Sequence, residues 1–375
     1  MKRKITILFL ILVLVLAFVQ LLYKDKINLL EVVKNPLSKG KVKFVEGRKR
    51  VVRDGSPFEF IHNNRYGEWR ADPNKQRQLI QQSKIGGKQA KGEFQFRNAL
   101  DIEFDAQGNL YVLDKGNKSI EVFNPESKHL RTLAVGPNRE RIMSEPTDLA
   151  LDRRGNVYVS DRRKGILILK TDGSLLRSFR LAYQAEQLVV DSQGHIIVLT
   201  PSEEFRFHKL NSRGRELWVF GEQDEPSKAL RQVFSQGILI LDAEDNLYLS
   251  FTYPYRIEKY SSNGQKILAF DRELEILVTP PTIERSKDGT IKRVYRQEIS
   301  YDLAIGPNGL IYNLMRTKGA KGGNIIDIFS PEGAYLQSFY LSANAISFAL
   351  QHERLALLSP FKYQRIEVFE IMVLN

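Results

Sequence analysis

An all-β fold, a six-bladed β-propeller of four-stranded antiparallel blades, is predicted from three features of the sequence. First, the stretch "FDAQGNLYVLD" at 104–114 recurs as "LDRRGNVYVSD" from Leu151, "VDSQGHIIVLT" from Val190, "LDAEDNLYLSF" from Leu241 and "IGPNGLIYNLM" from Ile305. A degenerate copy, "ALQHERLALLS", starts at Ala349. Second, apolar residues alternate with a period of two through each copy, and no helical period extends over a useful length. Third, the last copy runs out at "EVFEIMVLN" after three strands, so a closed ring must draw its final strand from upstream.

Each unit supplies four short strands, which read "LDIEF", "NLYVLD", "SIEVF" and "LRTLAV" in the first copy. Between strands three and four lie tight turns, among them Asp172-Gly173 and Asn263-Gly264, a pairing suited to a hairpin because glycine takes positive φ without a Cβ penalty. One such meander cannot bury both of its faces, whereas six arranged radially can. The blades begin near residues 98, 145, 185, 234, 299 and 344, and "RQLIQQSKIG", residues 77–86, sits where the sixth blade needs its outer strand.

The chain divides into a signal-anchor transmembrane helix at 1–23, a basic juxtamembrane arm at 24–76 and the propeller at 77–375, with an insertion hairpin at 275–299. "MKRK" precedes the uncharged run 5–22, which as a helix reaches roughly 27 Å, close to the hydrocarbon thickness. No small-x-small cleavage site follows, so an uncleaved single-pass anchor is expected, with the large domain extracytoplasmic. Lys24, Lys26, Lys34, Lys39 and Lys41 after the span favour the opposite orientation by flanking charge, but long domains translocate largely regardless of charge. The arm is either a linker or an adhesive for an anionic surface through Lys41, Lys43, Arg48, Lys49, Arg50 and Arg53.

Net charge is +12, yet residues 1–97 hold 21 Lys/Arg against 8 Asp/Glu, and residues 98–375 hold 35 against 36. The basic balance belongs to the N-terminal arm, which argues against nucleic acid as the propeller's partner. With no cysteine, the chain has no disulfide, thiolate nucleophile or cysteine-ligated metal.

The stretch "KIGGKQAKGEFQFRNALDIEFDAQGNLYVLDKGNKSIEVFNPES" resembles the opening of an NHL repeat, and "EPTDLALDRRGNVYVSDRRKGILILKTDG" is similar, with its proline at Pro146. The resemblance covers residues 84–375 and is strongest in blades 1, 2 and 5. It implies the six-bladed fold. It does not imply a function, because propellers of this kind include both binding proteins and enzymes.

Four residues before the motif Asp, or its equivalent, stand Asp101, Asp148, Gln187, Ile238, Asp302 and Ile346. In a propeller the first strands line the channel, so Asp101, Asp148, Gln187 and Asp302 are expected to ring it. They either form an oxygen-rich site for a divalent cation such as calcium or cap backbone amides. The strand-two-to-three loops carry Lys115, Arg162, Arg163, Tyr253, Tyr255, Arg256, Arg316, Lys318, Lys362 and Tyr363, a combination of cations and aromatics that suits a protein or an anionic or glycan partner. The insertion, with its "SKDGT" turn, is expected to project as a two-stranded flap.

Enzyme signatures are sparse. His62, His129, His195, His208 and His352 fall where they cannot converge on one metal, and nucleophile elbow, phosphate loop and HExxH are all absent. The leading expectation is a membrane-anchored extracytoplasmic binding or scaffolding module. The alternatives are a lactonase- or lyase-type enzyme with a divalent ion held by Asp101, Asp148 and Asp302, and a cytosol-facing RNA-binding NHL domain.

Overall fold

The computed structural model describes residues 50–51, 57–72, 75, 77–87, 94–136, 140–223, 228–274, 278–316, 324–341, 344–360 and 364–373. The apolar N-terminal segment, most of the arm's cations, and Lys318, Lys362 and Tyr363 lie outside the described residues. Among the described residues no helix is long and apolar enough to cross a membrane.

Three strands precede the blades: β1 (Arg50–Val51), β2 (Glu59–Asn63) and β3 (Arg77–Gly86). Blade 1 is β4 (Ala99–Phe104), β5 (Leu110–Asp114), β6 (Ser119–Phe123) and β7 (His129–Leu133). Blade 2 is β8 (Pro146–Leu151), β9 (Val157–Asp161), β10 (Gly165–Leu169) and β11 (Leu175–Phe179). Blade 3 is β12 (Gln187–Val190), β13 (Ile196–Leu199), β14 (Phe205–Leu210) and β15 (Glu216–Glu222), followed by the short helix α1 (Lys228–Phe234). Blade 4 is β16 (Gly237–Leu241), β17 (Leu247–Phe251), β18 (Ile257–Tyr260) and β19 (Lys266–Arg272). The hairpin β20 (Thr282–Arg285) and β21 (Ile291–Tyr295) forms a two-stranded sheet that joins no blade, here called the flap. Blade 5 is β22 (Ser300–Ile305), β23 (Ile311–Arg316), β24 (Asn324–Phe329) and β25 (Tyr335–Tyr340), and blade 6 is β26 (Ser347–Gln351), β27 (Arg354–Leu358) and β28 (Arg365–Val373).

The recurring motif is explained by two carboxylate caps. Asp105 accepts the backbone N–H groups of Gln107 and Asn109 across the first turn, and Gly108 closes that turn at φ +82. Asp152, Asp191 and Asp242 repeat the contact in blades 2, 3 and 4. The motif's second Asp caps the next loop. Asp114 accepts from the amides of Arg97, Asn98 and Asn117, and Asp161 from those of Ser144, Glu145, Arg163 and Lys164. Without these acceptors the turn amides, most of them part-buried, would lose their protein partners.

Apolar clusters fill the gaps between neighbouring blades. Tyr111, Leu113, Ile120 and Val122 of blade 1, for example, share one cluster with Leu149, Val157, Val159 and Leu167 of blade 2. Ring closure follows the sequence expectation: β3 pairs antiparallel with β28, from Arg77 opposite Val373 to Gly86 opposite Arg365. Residues 77–86 are thus the fourth strand of blade 6.

The described part of the arm adds strands to the blades. β1 adds in parallel to β15 of blade 3, with Arg50 opposite Trp218, and β2 adds in parallel to β19 of blade 4, from Glu59 opposite Leu268 to Asn63 opposite Arg272. The Asn63 side chain then bridges two blades, donating to the Asp271 and Gly333 carbonyls and accepting from the Tyr335 amide. A helical turn at Glu68–Ala71 follows, and a Cβ on Gly67 would stand 2.0 Å from the Leu336 carbonyl oxygen, so only glycine fits that approach. The described residues between 50 and 86 thus form a belt around the rim of blades 3 to 6.

Candidate functional site

The first strands β4, β8, β12, β16, β22 and β26 line a central cavity of about 170 Å³. Their inner edges have no further strand to pair with, so each hub amide needs an acceptor. Four side chains serve six such amides. Asp101 accepts from Ile102 (2.9 Å) and Leu149 (3.2 Å), and Asp148 accepts from Leu188 (2.7 Å). Gln187 Oε1 accepts from Leu239 (2.8 Å), and Asp302 accepts from Leu303 (2.8 Å) and Phe348 (2.7 Å).

The logic is sequential: each ring residue staples the next blade's first strand. Blade 4 carries Ile238 at this position and offers no acceptor, so Asp302 in blade 5 covers its own neighbour Leu303 as well as Phe348. Blade 6 departs from the expected register by one residue. Ser347 rather than Ile346 occupies the ring, with its Oγ 3.3 Å from Asp101 Oδ1. Its neighbour therefore also does double work, since Asp101 serves both Ile102 and Leu149. The two positions that follow a weak or apolar partner are the two whose carboxylates use both oxygens.

A fourth carboxylate, Glu103, lines the same cavity and escaped the sequence reading. Its only signal was the Asp-x-Glu alternation on a channel-lining strand. Burial pushes Asp101 up to about 6 against the amide hydrogen bonds that oppose it. Burial, then repulsion from Asp101, pushes Asp302 up to about 8. The same two causes raise Asp148 and Glu103 well above the usual carboxylate range. Among the described residues no group of three carboxylates or imidazoles is placed to hold one metal ion.

A carboxyl whose pKa is higher in the folded than in the unfolded chain binds its proton more tightly when folded. Its contribution is complete below the unfolded value near 4 and is lost as pH rises through about 6 for Asp101 and about 8 for Asp302. Glu258 runs the other way. Burial alone would raise it, but Lys266, Arg256, Arg206 and the Tyr260 hydroxyl hold it far below its usual range, so its contribution is lost in strong acid. Thermal unfolding is therefore expected to peak at mildly acidic pH and to decline toward pH 9, each hub group adding a slope of at most about 1.4 kcal/mol per pH unit. Glu103→Gln is expected to flatten that decline and raise the melting temperature at the alkaline end. A profile identical to wild type would rule out a titrating Glu103.

The loop face differs from expectation in its aromatics. Tyr253 and Tyr255, expected on the binding surface, are 7% and 6% exposed and belong to the core between blades 4 and 5. The Tyr255 hydroxyl donates to Asp327, which is why the ring turns inward. Arg256 is likewise withdrawn: it stands 3.2 Å from Glu258 and lies over the Phe251 ring. Arg316 stacks 4.5 Å over Tyr301 and donates to its hydroxyl. Arg163, 73% exposed, donates to Glu145, and Arg162 lies 4.0 Å from the same carboxylate. Lys115 stands at the blade 1 loop, where its backbone N–H is held by the Asn98 carbonyl.

Sequence reading also missed Arg296, at the foot of the flap. Its Nη2 donates to the Gln236 side chain, and its buried Nη1 has no partner. Burial raises Glu186, while Gln232 of α1 donates to it at 2.5 Å and Arg162 and Arg296 attract it. Blade 2, the blade 2–3 link, α1 and the flap thus meet in one polar cluster.

No family model and no curated protein matches the chain. Solved structures share its fold. A putative exported protein from Bacteroides fragilis NCTC 9343 matches with a TM-score of 0.54 at 12% identity, covering 84% of this chain and 100% of that one. A member of the DUF4221 family from Bacteroides vulgatus ATCC 8482 gives 0.54 at 8% identity, covering 80% and 99%. Virginiamycin B lyase from Staphylococcus aureus gives 0.51 at 11% identity, covering 79% and 100%. Identities this low show the propeller fold alone.

Proposed function

We propose that the chain is an extracytoplasmic binding module, held at a membrane by its apolar N-terminal segment, whose loop face engages an acidic protein surface or an anionic glycan. The observation that carries this reading is the exposed pair Arg162 and Arg163 on the blade 2 loop, together with Arg296, which ties the foot of the flap to Gln236 beside α1. The flap itself adds exposed Arg285, Lys287, Lys292 and Arg293, together with a half-exposed Tyr295, and so supplies the aromatic element that Tyr253 and Tyr255 do not. Lys115, Arg162, Arg163 and Arg316 complete the cationic set.

The hub is better suited to structure than to chemistry, because Asp101 and Asp302 accept backbone amides with both oxygens, Gln187 with its Oε1 and Asp148 with one of its two. A divalent ion there would have to displace those bonds, so the reading assigns none. The extracytoplasmic placement draws on the apolar run 5–22 and accords with a fold neighbour described as a putative exported protein.

Protease added to intact cells is expected to remove the propeller. Affinity capture with the wild type is expected to recover a partner that Arg162→Glu/Arg163→Glu does not. Equal recovery by both proteins would remove this face from the account, and a propeller protected until the cells are lysed would reverse the orientation.

A further inference from the structure

The belt treats the six rims unequally. Blades 3 and 4 each receive a parallel fifth strand, blade 5 receives the turn at Glu68–Ala71, and blade 6 takes β3 as its outer strand. Among the described residues the sheets of blades 1 and 2 end at β7 and β11, with nothing paired beyond them. Those two bare edges differ in chemistry. On β7 the polar side chains are already engaged, His129 and Thr132 reaching Glu121 and Arg131 donating to Tyr111, and a single leucine, Leu130, is exposed, at 47%. On β11 Leu175 and Leu176 are 45% and 48% exposed, and Arg177 and Ser178 are exposed beside them.

The surroundings of β11 are basic. A Cβ on Gly214 would come within 2.5 Å of the Phe179 ring, so the blade 3 turn carrying Arg213 and Arg215 stands against this strand. Arg177, Arg180, Arg213 and Arg215 are all exposed. The one carboxylate in the adjoining turn, Asp172, already accepts from the Ser174 amide. An open strand edge offers a row of backbone donors and acceptors, and strand addition uses these for affinity and alternate side chains for specificity.

We propose that the outer edge of blade 2 is a docking edge for an extended strand of a partner protein in which acidic and apolar residues alternate. The chain itself uses this mode at β15 and β19, where its own segments add in parallel. Charge complementarity selects the acidic residues and the paired leucines select the apolar ones. This surface lies on the rim and is independent of the loop face.

The test uses the full chain in mild detergent and the probe peptide Asp-Val-Glu-Leu-Glu-Val-Asp, followed by fluorescence anisotropy and by hydrogen exchange. Binding is expected with new amide protection confined to residues 175–180. Arg177→Glu/Arg180→Glu, which alters only exposed side chains, is expected to weaken it by at least about tenfold. The same peptide N-methylated at alternate amides is expected not to bind, since it keeps the charge and loses the backbone pairing. Equal binding of the methylated peptide, an unaffected charge-reversed variant, protection elsewhere, or no binding at all would each overturn the proposal. Self-association of the full chain that the charge reversal abolishes would also overturn it, by assigning the edge to a second copy.

Discussion

Replacing Asp327 with alanine is expected to lower the unfolding free energy by about 3–5 kcal/mol, because it leaves a buried guanidinium without its counter-ion. Asp327 is fully buried, and Arg272 reaches it through Nε at 2.7 Å and Nη2 at 3.0 Å. The Tyr255 hydroxyl and Ser338 Oγ donate to the same carboxylate, and Tyr335 receives the guanidinium on its ring face at 4.7 Å. The network joins β19 and the β17–β18 loop of blade 4 to β24 and β25 of blade 5. Burial opposes the charge on Arg272, but Asp327 outweighs it and holds the guanidinium firmly protonated. The double replacement Asp327→Leu/Arg272→Met is expected to recover most of the loss, since an apolar pair carries no desolvation penalty. Urea unfolding of both variants gives the comparison, and a double variant no better than the single one would mean that geometry, not charge, holds this junction.

The second large effect separates two aspartates that look alike in sequence. Asp302→Ala is expected to cost about 2–4 kcal/mol, because the amides of Leu303 and Phe348 lose their acceptor together. Asp302→Asn is also expected to destabilise, since only one of its two side-chain heads can accept. Asp148→Asn is expected to cost less than about 1 kcal/mol, because Leu188 is the single amide it serves and one carbonyl oxygen suffices. Gln187 already does the same work with an amide. Chemical denaturation of the asparagine pair decides the matter, and equal losses at 148 and 302 would break the link between acceptor count and stability.

The propeller was legible because its period is written in turn chemistry. Asp105 with Gly108, and Asp114 after them, are local signals whose spacing alone counts blades, and the three-stranded end of the sixth copy pointed to 77–86. The arm was less legible. Arg50–Val51 and Glu59–Asn63 have strand character, but parallel addition to β15 and β19 depends on residues some 170 and 200 positions away, which no local pattern encodes. In blade 6 the degenerate motif shifted the expected ring from Ser347 to Ile346, an error of one residue that reverses which face a side chain takes. Tyr253 and Tyr255 were assigned outward because loops are usually exposed. Their burial depends on Asp327 and on the blade 5 core, both distant in sequence. Asp101, Asp148, Gln187 and Asp302 line the central cavity, and the amides that most of them serve belong to the next blade, some 40 to 50 positions away in sequence, which no local pattern encodes.

The rest depends on the hub side chains serving as acceptors for backbone amides. That role is tested most directly by thermal unfolding of the wild type with and without calcium, magnesium or zinc at millimolar concentration. The melting temperature is expected to stay unchanged with each ion. A rise of several degrees that disappears in Asp148→Asn would contradict that role, because a bound ion stabilises only the folded ring that holds it.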